Sequence, residues 1–261
     1  LLVSNPDGRI QIRDAEGKVL RTLNTQLVAQ DVAIAVESGW VVTGSLPESI
    51  GRDERGAAVR IGLDGSIGPR WLAPGLFRSL ATAHGVVLAS DLVGPVYSLQ
   101  KDGSLAGVPV PPEVQGGSVD AVVWGNEFGF CKKGDRSMLG EPHGVCLGES
   151  GRRVRAIWSV PPIACGEFLV GDVQADGRAT SAWSRVVWSG DGATQLATHP
   201  LSERPTGIAC ANDLLVDVAV PGQLLTLPGM VPLRDPLCSN DPDAVVVGTN
   251  DVWCLRKKRR G

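Results

Sequence analysis

One mark recurs along this chain at an interval that few architectures accommodate. A turn-forming pair ending in glycine stands at Glu16-Gly17, Asp64-Gly65, Asp102-Gly103, Ser150-Gly151, Asp191-Gly192 and Pro228-Gly229, a period of about 40 residues. A second mark travels with the first. It is a run of apolar residues giving way to small or polar ones: LLVSN at Leu1, WVVTG at Trp40, VVLAS at Val86, FLVGD at Phe168, LLVDV at Leu214 and VVVGT at Val245. Two marks in phase mean one supersecondary unit copied along the chain, and such a unit must bury its apolar face against its neighbours.

The stretch from Arg78 to Val110 shows the unit most plainly. It reads RSLATAHG, VVLASDL, VGPVYSLQKD and GSLAGVPV, four short apolar runs bounded by Gly, Pro, Asp and Ser, which is the pattern of an antiparallel meander. We label the runs a, b, c and d. Asp102-Gly103 falls between c and d, where glycine supplies the positive φ of a tight hairpin. Run c alternates: in RIQIRD from Arg9, Ile10 and Ile12 share one face and Gln11 and Arg13 the other, the period of a half-buried strand. Run a is the least distinct, as AIAVESG from Ala33, SLATAHG from Ser79, VDAVVWGN from Val119, PIACGE from Pro162, GIACAND from Gly207 and PLCSND from Pro236.

Counted this way, units span about 1–28, 29–77, 78–115, 116–160, 161–204, 205–235 and 236–261. The first lacks run a and the last lacks run d. Four-stranded units of this length are blades of a β-propeller, which face one another and leave no free sheet edge once the ring closes. The predicted fold is therefore all-β, a single β-propeller domain of four-stranded antiparallel blades, with seven blades preferred and six the alternative. Composition agrees: 33 Gly, 18 Pro and only 20% charged residues suit many short strands and many turns. No window carries a helical apolar stripe for three turns without Gly or Pro interrupting it.

Three units are lengthened between b and c: Pro47 to Gly56, Lys132 to Gly144 and, more mildly, Gln174 to Ser184. In a propeller all b-to-c turns share one face, and long loops on one face of a repeat protein are where binding surfaces are built. The candidate binding residues are Glu48, Arg52, Asp53, Arg55, Lys132, Asp135, Arg136, Met138, His143 and Trp183. Tolerated insertion is the competing reading, since lengthening a surface loop costs little.

Six cysteines allow 15 pairings. Cys131 on b and Cys146 on c of one unit sit on adjacent strands, about 4.8 Å apart, close enough for a bridge if they are level. Cys238 and Cys254 fall two strands apart, which disfavours that pair. Cys165, Cys210 and Cys238 hold one place in run a of three successive units; small buried side chains on a crowded inner strand are the expectation there, with inter-blade bridges as the alternative. No spacing suits a structural zinc. Asp91, Asp172 and Asp217 each end or interrupt an apolar run b. Converging carboxylates could hold a hard cation such as calcium; capping a turn or pairing with an arginine is the expected role, and no cofactor is required. His84, His143 and His199 have no local partner in a recognised catalytic order. Of the seven Trp, Trp40, Trp124 and Trp253 read as packing between blades. No nucleophile elbow, P-loop, zinc-protease or EF-hand motif is present.

A net charge of −3 argues against a nucleic-acid-binding body. The basic KKRR at Lys257 to Arg260 reads as a solvated terminus, with a nuclear-targeting or anionic-surface patch as the alternative. No apolar run approaches the ~20 residues that cross a bilayer, so membrane insertion is not expected. Leu1 is not an initiator Met; a segment removed or left out of the numbering is one expectation, a signal peptide one candidate for it, and the start of the sequence favours neither reading.

Two phrases carry a resemblance. AVVWGNEFG from Ala121 resembles one strand-turn of the RCC1-like propellers, among them seven-bladed secreted inhibitors of bacterial β-lactamases, and DVWCLRKKRRG from Asp251 is similar to the GxVxCWG phrase of bacterial RCC1-type repeats. The resemblance implies a propeller and carries over no functional residue. The expected function is a non-catalytic platform that binds another protein through the b-to-c face. The alternatives are a carbohydrate- or polymer-active enzyme with acids and Trp in a central funnel, and a structural cell-surface module. An enzyme would bring two carboxylates, or a His and a carboxylate, within hydrogen-bond reach in one pocket.

Overall fold

The apolar runs form strands and the turn pairs between them close hairpins. The computed structural model describes residues 2–4, 9–14, 17–28, 33–49, 55–92, 94–132, 144–156, 161–174, 182–201, 208–211, 214–217, 223–232, 244–247 and 252–255. Sheet one holds β1 (Leu2–Ser4), β2 (Arg9–Arg13) and β3 (Val19–Asn24). Sheet two holds β4 (Ala33–Val36), β5 (Gly39–Ser45), β6 (Gly56–Gly62) and β7 (Ile67–Leu72). Sheet three holds β8 (Phe77–Ala83), β9 (Val86–Asp91), β10 (Val96–Leu99) and β11 (Leu105–Val108). Sheet four holds β12 (Val119–Trp124), β13 (Glu127–Lys132), β14 (Gly144–Gly148) and β15 (Arg153–Ala156). Sheet five holds β16 (Ile163–Cys165), β17 (Phe168–Gln174), β18 (Trp183–Ser189) and β19 (Gln195–Leu201). Sheet six holds β20 (Ile208–Ala211), β21 (Leu214–Asp217), β22 (Gln223–Thr226) and β23 (Val231–Pro232), and sheet seven holds β24 (Ala244–Val247) and β25 (Val252–Leu255). Each strand pairs with its neighbours in sequence, so every sheet is a plain meander. The a run at Pro236 lies outside the described residues.

The chain divides into two compact units, 1–122 and 123–261, with the boundary inside β12. In the first unit, neighbouring residues of β5 serve opposite sheets. Val42 packs with Ile10, Ile12 and Ile61 toward sheet one, while Val41 packs with Ala58, Trp71, Phe77 and Ala89 toward sheet three. A strand covered on both faces needs apolar residues at consecutive positions, which is why run b reads as a continuous apolar run and not as an alternating one. Each such Val or Phe contributes about 1.5–3 kcal/mol on full burial. In the second unit, Val170, Val187 and Cys165 of sheet five pack with Leu215, Leu225 and Met230 of sheet six, and the Trp124 indole N–H of sheet four donates to the Pro162 carbonyl at 3.1 Å. The last strand of a sheet is the wet one: β3 and β19 are exposed along most of their length.

The c-to-d turns explain the first sequence mark. Gly103 has φ +89° and Gly192 φ +74°, values that an L side chain adopts only with strain. Gly17, Gly65 and Gly151 share this conformation, whereas at the sixth copy the left-handed residue is Met230, one position after Gly229. The aspartate of the pair organises the same turn. Asp102 Oδ1 accepts from the Ser104 backbone N–H at 2.9 Å and its hydroxyl at 2.7 Å, and Asp64 does the same with Ser66. These serine hydrogen bonds hold both carboxyls below the usual carboxylate range. The turn also meets the preceding sheet: a Cβ on Gly103 would stand 3.3 Å from the Arg70 carbonyl oxygen of β7, and one on Gly192 would collide with the Arg153 carbonyl of β15.

The cysteines require one correction. Cys131 and Cys146 form the expected bridge, lying level on β13 and β14 with Cα atoms 4.0 Å apart. Cys165 and Cys210, expected as unpaired small side chains, are instead bridged to each other, with Cα atoms 5.5 Å apart. The innermost strands β16 and β20 are close enough that the crowding which favours a small side chain also favours a covalent link. Cys238 lies outside the described residues.

Candidate functional site

An antiparallel meander has two ends, and in each sheet the a-to-b and c-to-d turns share one while the b-to-c loop occupies the other. At the b-to-c end, one cross-strand slot takes a different chemistry in each sheet. The fifth residue of the second strand and its partner on the third are Thr43 and Ala58 in sheet two, Ser90 and Val96 in sheet three, Cys131 and Cys146 in sheet four, and Asp172 and Arg185 in sheet five. In sheets four and five the slot is thus a strong clamp immediately beneath a long loop. Asp172 and Arg185 are 4% and 1% exposed and meet through two parallel bonds, Nε to Oδ1 at 2.7 Å and Nη2 to Oδ2 at 2.9 Å, the strongest geometry open to such a pair.

Sheet two closes its loop differently. The Leu46 N–H donates to the Arg55 carbonyl at 2.8 Å, and the buried Ser49 hydroxyl donates to the Leu46 carbonyl at 2.8 Å while accepting from the Arg55 N–H at 2.9 Å. Sheet three has a short connection and no clamp in the slot, where Ser90 accepts from the Ala121 N–H at 2.7 Å.

Of the candidate binding residues, Glu48 and Arg55 are exposed at the base of the first loop, and Lys132 and Trp183 are half-buried at the bases of the second and third. Arg52, Asp53, Asp135, Arg136, Met138 and His143 lie outside the described residues. The three aspartates do not share a setting. Asp172 is ion-paired, and Asp91 accepts from the Gly75 N–H at 3.0 Å; of Asp217 only the strand is described. Among the described residues no group of three His, Cys, Asp or Glu side chains is placed to hold a metal ion.

The opposite end of the first unit carries a groove that the repeat pattern does not reveal. It lies between sheets two and three, with a volume of ≈ 490 Å³, over a floor that includes Val41, Trp71, Val87 and Leu99. Glu37, Arg60, His84 and Lys101 bring the charged and titratable groups. Trp71 is fixed by its indole N–H, which donates to the Gln100 carbonyl at 2.7 Å, and Arg60 by Ser38. Glu37 and His84 line the same groove without a hydrogen bond between them.

Among solved structures, the chain is similar to the Dos1 propeller, with 11% identity, a TM-score of 0.54, and coverage of 92% of this chain and 67% of that one. It is also similar to AztD of Citrobacter koseri in its apo form, with 12% identity, a TM-score of 0.49, and coverage of 94% and 85%. The fold is a β-propeller. No family model matches the sequence, and no curated protein matches it.

As blades, the sheets account for the sequence marks. Run b carries faces buried on both sides, and the Asp-Gly pair is the point where one blade's turn meets the outer strand of the blade before it. The structure adds the identity of the partner in each cross-strand slot, which needs the register of b against c, and the groove, which needs two blades at once. Among the described residues no helix is long and apolar enough to cross a membrane.

Proposed function

We propose that this propeller is a non-catalytic platform of seven blades that engages another protein through the b-to-c loops of blades two, four and five. The observation that carries the reading is that each of these three loops rises from a clamped base, by a serine clasp, a disulfide and a buried ion pair respectively. Clamping a loop lowers the ordering entropy that binding costs, and a connection as short as that of blade three has little such entropy to lose. The two disulfides further support maturation in an oxidising compartment, secreted or periplasmic. The test replaces residues 133–143 by a short Gly-Ser linker with Cys131 and Cys146 retained, and compares partners captured by cross-linking from the native source. Loss of a reproducible partner, with thermal stability unchanged, is the expected result. A full set of partners retained after all three loops are shortened would sink the reading.

A further inference from the structure

We infer that the groove between blades two and three is a binding site for a small organic anion, a carboxylate carried on an apolar body. This goes beyond the platform reading and concerns the other end of the blades. Two independent observations meet here. The first is chemical complementarity. The floor of Val41, Val87, Leu99 and Trp71 is apolar, and ≈ 490 Å³ is the size that encloses a small ligand. The rim sets two permanent cations, Arg60 and Lys101, and the His84 imidazole against a single acid, Glu37. Lys101 is exposed and makes no ion pair or hydrogen bond among the described residues. The turn aspartates Asp64 and Asp102 bond to Ser66 and Ser104 within their own turns, and neither lines the groove.

The second observation is a conformational cost. The first residue of the two-residue a-to-b turn is Gly125 in blade four and Gly166 in blade five, at φ +70° and +58°. Blade three places His84 there, at φ +51°, where glycine would sit without strain. A residue held in a sparsely populated region points to a role that offsets the cost. Here the strained position delivers an exposed imidazole to the mouth of the groove. A free small acid fits better than a protein segment, since the groove is bounded by turns of two neighbouring blades and its capacity matches one short chain.

The experiment titrates octanoate into the full chain at low salt, following the valine and leucine methyl signals by NMR. Binding at ~0.1–1 mM is expected for a ligand of this size, with shifts confined to Val36, Val41, Val87 and Leu99. Octanamide should bind at least about 10-fold more weakly, and Lys101→Glu should weaken octanoate by a similar factor. His84→Gly should keep or raise thermal stability, because it relieves the turn, while weakening octanoate by about threefold or more. The inference fails if wild type shows no saturable shift, if the shifts lie elsewhere, or if octanamide binds as well. It also fails if a blocked peptide ending in a free leucine carboxylate binds more than about 10-fold tighter than octanoate, which would assign the groove to a protein terminus.

Discussion

Asp172 is where the cost of burial decides a side chain's role. A carboxylate 4% exposed is costly to bury in a sheet interior without a partner, and the Arg185 fork supplies one with two short bonds. Removing one member leaves a buried charge, which is worse than replacing both. Asp172→Ala is therefore expected to lower stability by about 3 kcal/mol, and the double variant Asp172→Val with Arg185→Met to recover most of the loss, read from urea midpoints. Equal loss in the single and double variants would show that the pair itself, and not its desolvation, holds the blade. The acid was legible in the sequence as an anomaly at the end of an apolar run, with pairing to an arginine among its readings. Its partner was not, because nothing local links positions 172 and 185; only the register of β17 against β18 brings them level.

At the scale of the element, the turn was the most legible feature and for a physical reason. Every described c-to-d turn with glycine in the left-handed conformation makes one demand, and at Gly103 and Gly192 a second is added, room for the outer strand of the preceding blade, so few residues can stand there and the mark is plain in the sequence. The two demands can be separated. Gly151 has φ +89° with open space where a Cβ would stand, whereas at Gly192 a Cβ would meet the Arg153 backbone. Gly151→Ala should cost about 1 kcal/mol from conformation alone, and Gly192→Ala clearly more, because backbone atoms must shift. Thermal denaturation of the two variants gives the order; equal costs would mean that the inter-blade contact adds nothing. The groove was hidden by the same logic. A His-Gly turn reads as an ordinary hairpin in sequence, and its oddity emerges only when His84 is found in the left-handed conformation that blades four and five give to Gly125 and Gly166.

For the whole molecule, the question is what holds successive blades together when each makes few contacts beyond its neighbours. Repeat architectures gain stability from interfaces between units, and the two disulfides act on different parts of that arrangement. Cys131–Cys146 closes a loop within blade four, at a separation of 15 residues, while Cys165–Cys210 spans 45 residues and joins the inner strands of blades five and six. By loop-closure entropy the first is worth about 3 kcal/mol and the second about 4 kcal/mol. The inter-blade bridge also restrains the two inner strands against separating, so its removal should expose the core of Val170, Val187 and Leu215 at lower denaturant. Replacing Cys165 and Cys210 by Ala is thus expected to lower the urea midpoint more than replacing Cys131 and Cys146, with peptide mapping of the native protein showing both links. The reverse order would place the weak point of the propeller inside a blade. Free thiols at all four positions would remove the argument for an oxidising compartment, and with it the covalent clamp on which the blade-four loop depends.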